Sequence, residues 1–382
     1  MIVAIPKERR AGETRVAASV DTVKKLIGLG LEVVVEKGAG IDAAVTDDAY
    51  KAAGASIAKD AKATLEKADI VLKVQRPTGS DEKIDEIALM KQGAVLCCIL
   101  NAYNDKPLVE ALAAKKITTF GMEFVPRITR AQSMDVLSSQ SNLAGYKAVL
   151  DGASEFGRAF PMMMTAAGTI PPARVMIMGV GVAGLQAIAT ARRLGAIVSA
   201  TDVRAATKEQ VESLGATFVM VDSEEAKQAE TAGGYAKEMS EDYKKQQAAL
   251  IAETLKKQDM AICTALIPGR KAPILITAEM VASMKPGSVI VDLAVEQGGN
   301  CELSEPGKVV NKNGVKIVGH LNVPGRLPVD ASQLYAKNLL NFVTLLIDKD
   351  SKALKIDLED EIVKGTLVTK DGEIVHPALK PA

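Results

Sequence analysis

The sequence predicts an α/β protein of two doubly wound parallel-sheet, Rossmann-like domains, the second inserted into the first. Three observations carry that reading. Short apolar or β-branched runs alternate with helical stripes along most of the chain, the pattern of a parallel sheet covered by helices on both faces. One such run, Val175-Met-Ile-Met178, leads straight into Gly179, Gly181 and Gly184 in G-x-G-x-x-G spacing, with a helical sequence behind them. At 382 residues the chain is long enough to bury two cores.

Taken in order, residues 3–5 read as a strand, followed by the polar stretch 7–15. Val23, Leu26 and Ile27 form a helical stripe ending near Gly28 and Gly30, and 32–36 is a β-branched strand. A helix over 47–53, strands over 70–74 and 94–99, a helix opening on Pro107 and a strand over 117–120 follow. From 135 to 160 the pattern is one long helix, and its small residues Ala144, Gly145, Ala148, Gly152 and Ala153 permit close approach of a neighbour. We read it as the connection between domains. Strands over 174–178, 196–202, 217–221, 260–265, 288–294 and 315–320 make the second sheet. The polar insertion 222–241 reads equally as a lid or as a disordered loop, and it leads into an amphipathic helix with Met239, Tyr243, Leu250 and Leu255. After Pro324 and Pro328 come a helix over 331–347 and a hairpin turning at Asp371-Gly372. The expected division is 1–137 with 328–382 for the first domain and 138–327 for the second.

Composition excludes several classes. Lys plus Arg and Asp plus Glu each number 47, so no basic field invites nucleic acid or anionic lipid. Trp is absent and aromatics make up 3%, which argues against a base-stacking surface. Cys97, Cys98, Cys263 and Cys301 lack C-x-x-C spacing and are expected as reduced thiols; with two histidines, no metal site is expected. No apolar run is long enough to span a bilayer, and Met1-Ile-Val-Ala-Ile-Pro6 enters a strand pattern without a leader. The expectation is a soluble, cytoplasmic protein.

The glycine spacing has a physical meaning. One glycine serves the tight turn, one lets backbone approach a pyrophosphate, and one allows close helix–strand contact. The helix behind them aims free N–H groups at phosphates. The next strand ends at Asp202, within the ~20-residue interval at which a carboxylate meets an adenosine ribose. A carboxylate there favours NAD over NADP, although Arg204, just past it, is of the type that holds a 2′-phosphate. Arg127, Gln132, Asp135 and Ser138 offer donors and acceptors suited to a ribose diol and a carboxamide. Composition alone favours a solvated loop there, with Asp135 or Ser133 as a helix cap.

Longer motifs sharpen this. Ile5-Pro-Lys-Glu8 with Glu13 and Arg15, the segment Pro126-Arg-Ile-Thr-Arg-Ala-Gln-Ser-Met-Asp135 continuing to Gly145, Met162-Met-Met-Thr-Ala-Ala-Gly168, Gly233-Gly-Tyr-Ala-Lys-Glu-Met239 and Thr264-Ala-Leu-Ile-Pro-Gly269 resemble the alanine dehydrogenase/transhydrogenase family. Within it they resemble the NAD(H)-binding alpha subunit of proton-translocating NAD(P) transhydrogenases, and the resemblance covers the whole chain. It implies NAD(H) with Gly179, Gly181, Val182 and Gly184 under the pyrophosphate, and Asp202 with the backbone of Val203 and Arg204 at the adenosine ribose. It places Ala265 and Leu266 along the adenine, and Arg127, Gln132, Asp135 and Ser138 around the nicotinamide. Gly234 and Tyr235 would ride on a mobile loop that closes over the site, and Gln247 would add a contact. Gln132, Arg127 and Asp135 would serve hydride transfer to NADP(H) on a partner subunit. The resemblance further implies a homodimer and a membrane-spanning partner that moves protons. The chain would then lie in the cytoplasm, peripheral on the inner face of the bacterial membrane through its partners.

The rival branch, alanine dehydrogenase, needs a substrate-binding Lys and a catalytic His. The positions similar to them hold Gln75 and Asn101, although Arg15 is kept. A non-catalytic NAD sensor would share the cofactor residues, but has no need of the polar cluster from Arg127 to Ser138.

Overall fold

The computed structural model describes residues 1–221, 240–267 and 269–380. The chain divides into two compact units, Met1–Gln140 with Pro324–Ala382, and Ser141–Val323. The helix Val136–Glu155 runs across that division.

The first unit is built on β1 (Ile2–Ile5), β2 (Glu32–Glu36), β3 (Ser56–Ala58), β4 (Ile70–Gln75), β5 (Val95–Ile99) and β6 (Thr118–Gly121). They are parallel and lie in the order β3-β2-β1-β4-β5-β6, the doubly wound order with a switch point between β1 and β4. Burial on both faces explains their near-continuous apolar sequences: Val3, Val71, Leu72 and Leu96 are all buried.

Next come β7 (Met163–Thr165) and β8 (Gly168–Ile170), an antiparallel hairpin. The long helix expected to reach residue 160 stops at Glu155, because Gly157 and Pro161 cannot carry it further. The hairpin was hidden in the sequence. Its apolar residues look like core, yet Met162 and Met164 are 60% and 77% exposed.

The second unit holds β9 (Arg174–Met178), β10 (Ile197–Thr201), β11 (Thr217–Phe218), β12 (Met260–Cys263), β13 (Val289–Asp292), β14 (Val309–Lys312) and β15 (Val315–Val318). The order β11-β10-β9-β12-β13-β15-β14 repeats the doubly wound plan, parallel except for the antiparallel edge strand β14. Here the switch point lies between β9 and β12. The sequence reading missed β14, whose alternating exposure and polar residues are those of an edge. Finally β16 (Leu367–Lys370) and β17 (Glu373–Ile374) return to the first sheet, β16 pairing antiparallel with β6. The expected α/β class, with two doubly wound sheets, is the one found.

Candidate functional site

The glycine turn sits at the C-terminal end of β9, beside the end of β12 and hence at the switch point of the second unit. The three glycines stand in different surroundings. Gly179 has φ +97°, and a Cβ on it would lie 2.8 Å from Thr264 Oγ1. Gly184 has no room at all: a Cβ would fall 2.0 Å from the Gly179 carbonyl oxygen. Gly181 is different, since a Cβ there would meet nothing within 4 Å among the described residues. It borders open space, where a ligand rather than protein would take the room. Gly181 is also the N-cap of the helix Val182–Arg193, and among the described residues no side chain caps that helix. By contrast Ser19, Thr46, Asp60, Asp85 and Asp105 each cap a helix of the first unit through their side chains.

Asp202 follows β10, whose neighbour is β9, so its carboxylate reaches the turn directly. Oδ2 accepts the Val180 amide at 2.7 Å, and the Arg204 guanidinium lies on both oxygens at 2.9 Å. Val182, Val203 and Leu266 are apolar yet exposed at the C-terminal ends of β9, β10 and β12. Gln247 lies beside β10. Its amide oxygen accepts the Val221 amide at 3.0 Å and its nitrogen donates to Thr201 Oγ1 at 2.8 Å, so both ends bind β10 and its neighbouring chain.

Sequence reasoning missed the residues that shape the turn from behind. Thr264 donates its hydroxyl to the Gly179 carbonyl at 2.9 Å. Asn300, fully buried, accepts the Ala265 amide at 3.0 Å and donates to the Ala265 and Pro273 carbonyls at 2.9 and 2.8 Å. Asp292, at the end of β13, in turn receives the amides of Ala294, Asn300 and Cys301 and the Ser304 hydroxyl. A signal was present: an acid closing an apolar strand, then Gly298 and Gly299, both with positive φ, before Asn300.

In the first unit, Arg127 and Gln132 are exposed, and Gln132 lies in the 3-10 turn Thr129–Met134. Ala131 and Met134 bury the other side of that turn, and Asn338 and Asn341 donate to the Ser133 carbonyl at 2.8 and 3.1 Å. Asp135 caps the long helix, accepting the Ser138 amide at 2.9 Å and the Ser138 hydroxyl. The cap reading is therefore realised at Asp135 and not at Ser133. Gly234 and Tyr235, with residues 222–239 of the expected lid, lie outside the described residues.

The switch point of the first unit is occupied by its own side chains. Glu13 holds the buried Arg15 through two hydrogen bonds of 2.8 and 2.7 Å and receives the Gln75 amide at 2.9 Å, while Arg15 also donates to Gln140 at 2.8 Å. Burial pushes the Glu13 carboxyl up, but Arg15 and Gln75 outweigh that and hold it below the usual range. Nearby, Lys73 is buried between Glu8 and Glu86, each at 3.2 Å. Burial alone would discharge this ammonium, yet the two carboxylates keep its pKa raised. Asn101 sits exposed in the left-handed region at φ +54° and its side chain binds a local partner, Asn104.

Residues 4–144 match the family model "Alanine dehydrogenase/PNT, N-terminal domain" and residues 148–377 the corresponding C-terminal domain. The chain belongs to the alanine dehydrogenase/PNT family. Within the family it is 68% identical over 379 residues to the first part of the NAD(P) transhydrogenase subunit alpha of Rhodospirillum rubrum, covering 99% of both chains. A solved transhydrogenase from Sinorhizobium meliloti superposes with a TM-score of 0.88 at 54% identity, over 98% of this chain and 100% of that one. A solved L-alanine dehydrogenase is more distant, with a TM-score of 0.82 at 29% identity over 99% and 98% of the two chains. The alanine dehydrogenase/PNT chain thus stands with the pyridine nucleotide transhydrogenases, and nucleotide binding is the family's chemistry.

Proposed function

We propose that this chain is the NAD(H)-holding subunit of a proton-translocating transhydrogenase, which passes a hydride between its own NAD(H) and NADP(H) on a partner subunit. One contrast carries the reading. The second unit keeps its dinucleotide turn open at the switch point, whereas in the first unit the corresponding place is filled by the Glu13–Arg15–Gln75 network. An amino-acid dehydrogenase needs a cation for substrate carboxylate and an acid–base group there. Hydride transfer between two nicotinamides needs neither, only close placement and shelter from water.

In this reading the uncapped amides after Gly181 take the pyrophosphate, and Gly179, Val182 and Gly184 form the floor beneath it. Asp202, with the backbone of Val203 and Arg204, takes the adenosine ribose, and Ala265 and Leu266 flank the adenine. Arg127, Asp135 and Ser138 hold the nicotinamide end, and Gln132 reaches toward the partner's nucleotide. The nicotinamide supplies the hydride chemistry; the protein positions it and excludes water. Two kinds of partner subunit follow, one binding NADP(H) and one crossing the membrane. Among the described residues no helix of this chain is long and apolar enough to cross a membrane. The chain is then peripheral on the inner face of the bacterial membrane, as a homodimer whose exposed Met162–Met164 arm offers apolar contact.

The test is to mix the chain with a separately made NADP(H)-binding domain. Deuterium on the reduced nicotinamide should arrive on the other nucleotide undiluted, and loss to solvent would rule out direct transfer. Gln132→Asn should slow transfer by at least about tenfold while leaving NADH affinity nearly unchanged, since its contact matters mainly in the transition state. Equal losses of both would reduce Gln132 to a binding residue.

A further inference from the structure

The Asp202 carboxylate is fully engaged. Oδ1 accepts the Arg204 amide and Arg204 Nε, both at 2.9 Å, while Oδ2 accepts the Val180 amide at 2.7 Å and Arg204 Nη2 at 2.9 Å. An ionised carboxylate offers about four lone-pair sites, so a ribose diol donating to Asp202 must replace something already there. The two backbone amides are fixed by the turn and by the chain itself. The guanidinium, whose Nη2 also donates to the Val180 carbonyl at 3.2 Å, is on a flexible stem, and its side chain is the more exposed of the pair, 21% against 7%. It is the group able to leave.

We propose that Arg204 is a displaceable cap on Asp202 and a second determinant of nucleotide choice, a 2′-phosphate ligand held in check by the acid beside it. The inference rests on the reading that Asp202 meets the adenosine ribose. While Asp202 is charged, the planar fork of Arg204 is satisfied bidentately and its charge is cancelled. A 2′-phosphate then meets a repelling carboxylate and a guanidinium committed elsewhere. Removing the carboxylate charge turns the same fork toward the phosphate, which matches its geometry as well as a carboxylate does. A diol, being neutral, gains nothing from that release.

The experiment titrates NADH and NADPH into the wild-type chain, Asp202→Asn, Arg204→Ala and the double variant, reading nucleotide fluorescence and calorimetry. Asparagine keeps an oxygen for the Val180 amide; Asp202→Ser serves as a second uncharged variant if the turn is disturbed. Expected are a loss of NADH affinity of about tenfold or more and a gain of NADPH affinity of similar size in Asp202→Asn. That gain should vanish in the double variant, and Arg204→Ala alone should bind NADH more tightly than wild type, since no cap has to leave. A gain that survives removal of Arg204, no gain at all, or an NADH affinity in Arg204→Ala no higher than wild type overturns the cap. Unchanged NADH affinity in Asp202→Asn instead sinks the ribose role of Asp202 itself, and the inference with it.

Discussion

At the residue scale, the three glycines are not interchangeable, and substitution separates folding from binding. Gly184→Ala drives a methyl into the Gly179 carbonyl, a backbone atom with nowhere to go. It should destabilise the second unit by ~1–3 kcal/mol, the usual range for overpacking, and abolish NADH binding. Gly181→Ala should leave the unfolding midpoint nearly unchanged, because its φ of −86° suits any residue and its Cβ meets no described protein atom within 4 Å. NADH affinity should nonetheless fall about tenfold, the methyl standing where the proposed pyrophosphate site lies. Thermal unfolding and NADH titration of the two variants check this, and equal effects on stability would remove the distinction. The spacing of these glycines was legible in the sequence. The confinement of Gly179 was not, since it depends on Thr264 and Ala265, which arrive from a distant part of the chain.

At the element scale, the turn Thr129–Met134 is tied to the helix Glu361–Thr366. Arg130 reaches Asp360 through two hydrogen bonds of 2.7 Å, and Asp360 also caps that helix by accepting the Ile362 amide at 2.8 Å. The Arg130 guanidinium holds the Asp360 carboxyl down to about 2 from its ordinary 3.8. A depressed carboxylate stabilises the fold above its unfolded pKa, and that stability is lost as pH falls from about 4 through 2. Asp360→Ala should therefore cost ~1 kcal/mol near neutral pH, the usual worth of such a cap, and make acid unfolding between pH 4 and 2 less steep. An unaltered acid limb on denaturation would show the pair to be idle. Neither residue stood out in the sequence, because the contact joins segments far apart in the chain.

At the scale of the whole molecule, two outcomes follow from surfaces and fillings rather than from motifs. With Arg15 bound by Glu13, and with Gln75 and Asn101 offering no acid–base group, the chain should show no NAD-dependent oxidation of L-alanine from mildly acid to strongly alkaline pH. Turnover at an appreciable rate, followed as NADH absorbance, would revive the dehydrogenase reading. The exposed arm gives the other. Contiguous exposed apolar side chains on a folded protein mark an interaction surface, and Met162, Met163, Met164 and Ile170 form such a run. For the proposed homodimer, Met164→Glu should shift the chain from dimer to monomer in analytical ultracentrifugation with little change in NADH affinity. A dimer unaffected by it would place the interface elsewhere.

The sequence by itself determined the strand–helix alternation, the glycine turn, Asp202 and the family, because each is written in local spacing or in a contiguous motif. Only the tertiary structure decided how those parts are used. It showed that Asn300 and Asp292 hold the loop at Ala265 and that the Asp202 carboxylate is already taken by Arg204. It also showed that Gln247 binds Thr201 and Val221, and that Met162–Met164 face solvent rather than core. The physical reason is common to all four. Hydrogen-bond satisfaction and burial depend on which atoms arrive from distant segments, and a parallel sheet brings strands together by crossovers that leave no periodic trace in the chain.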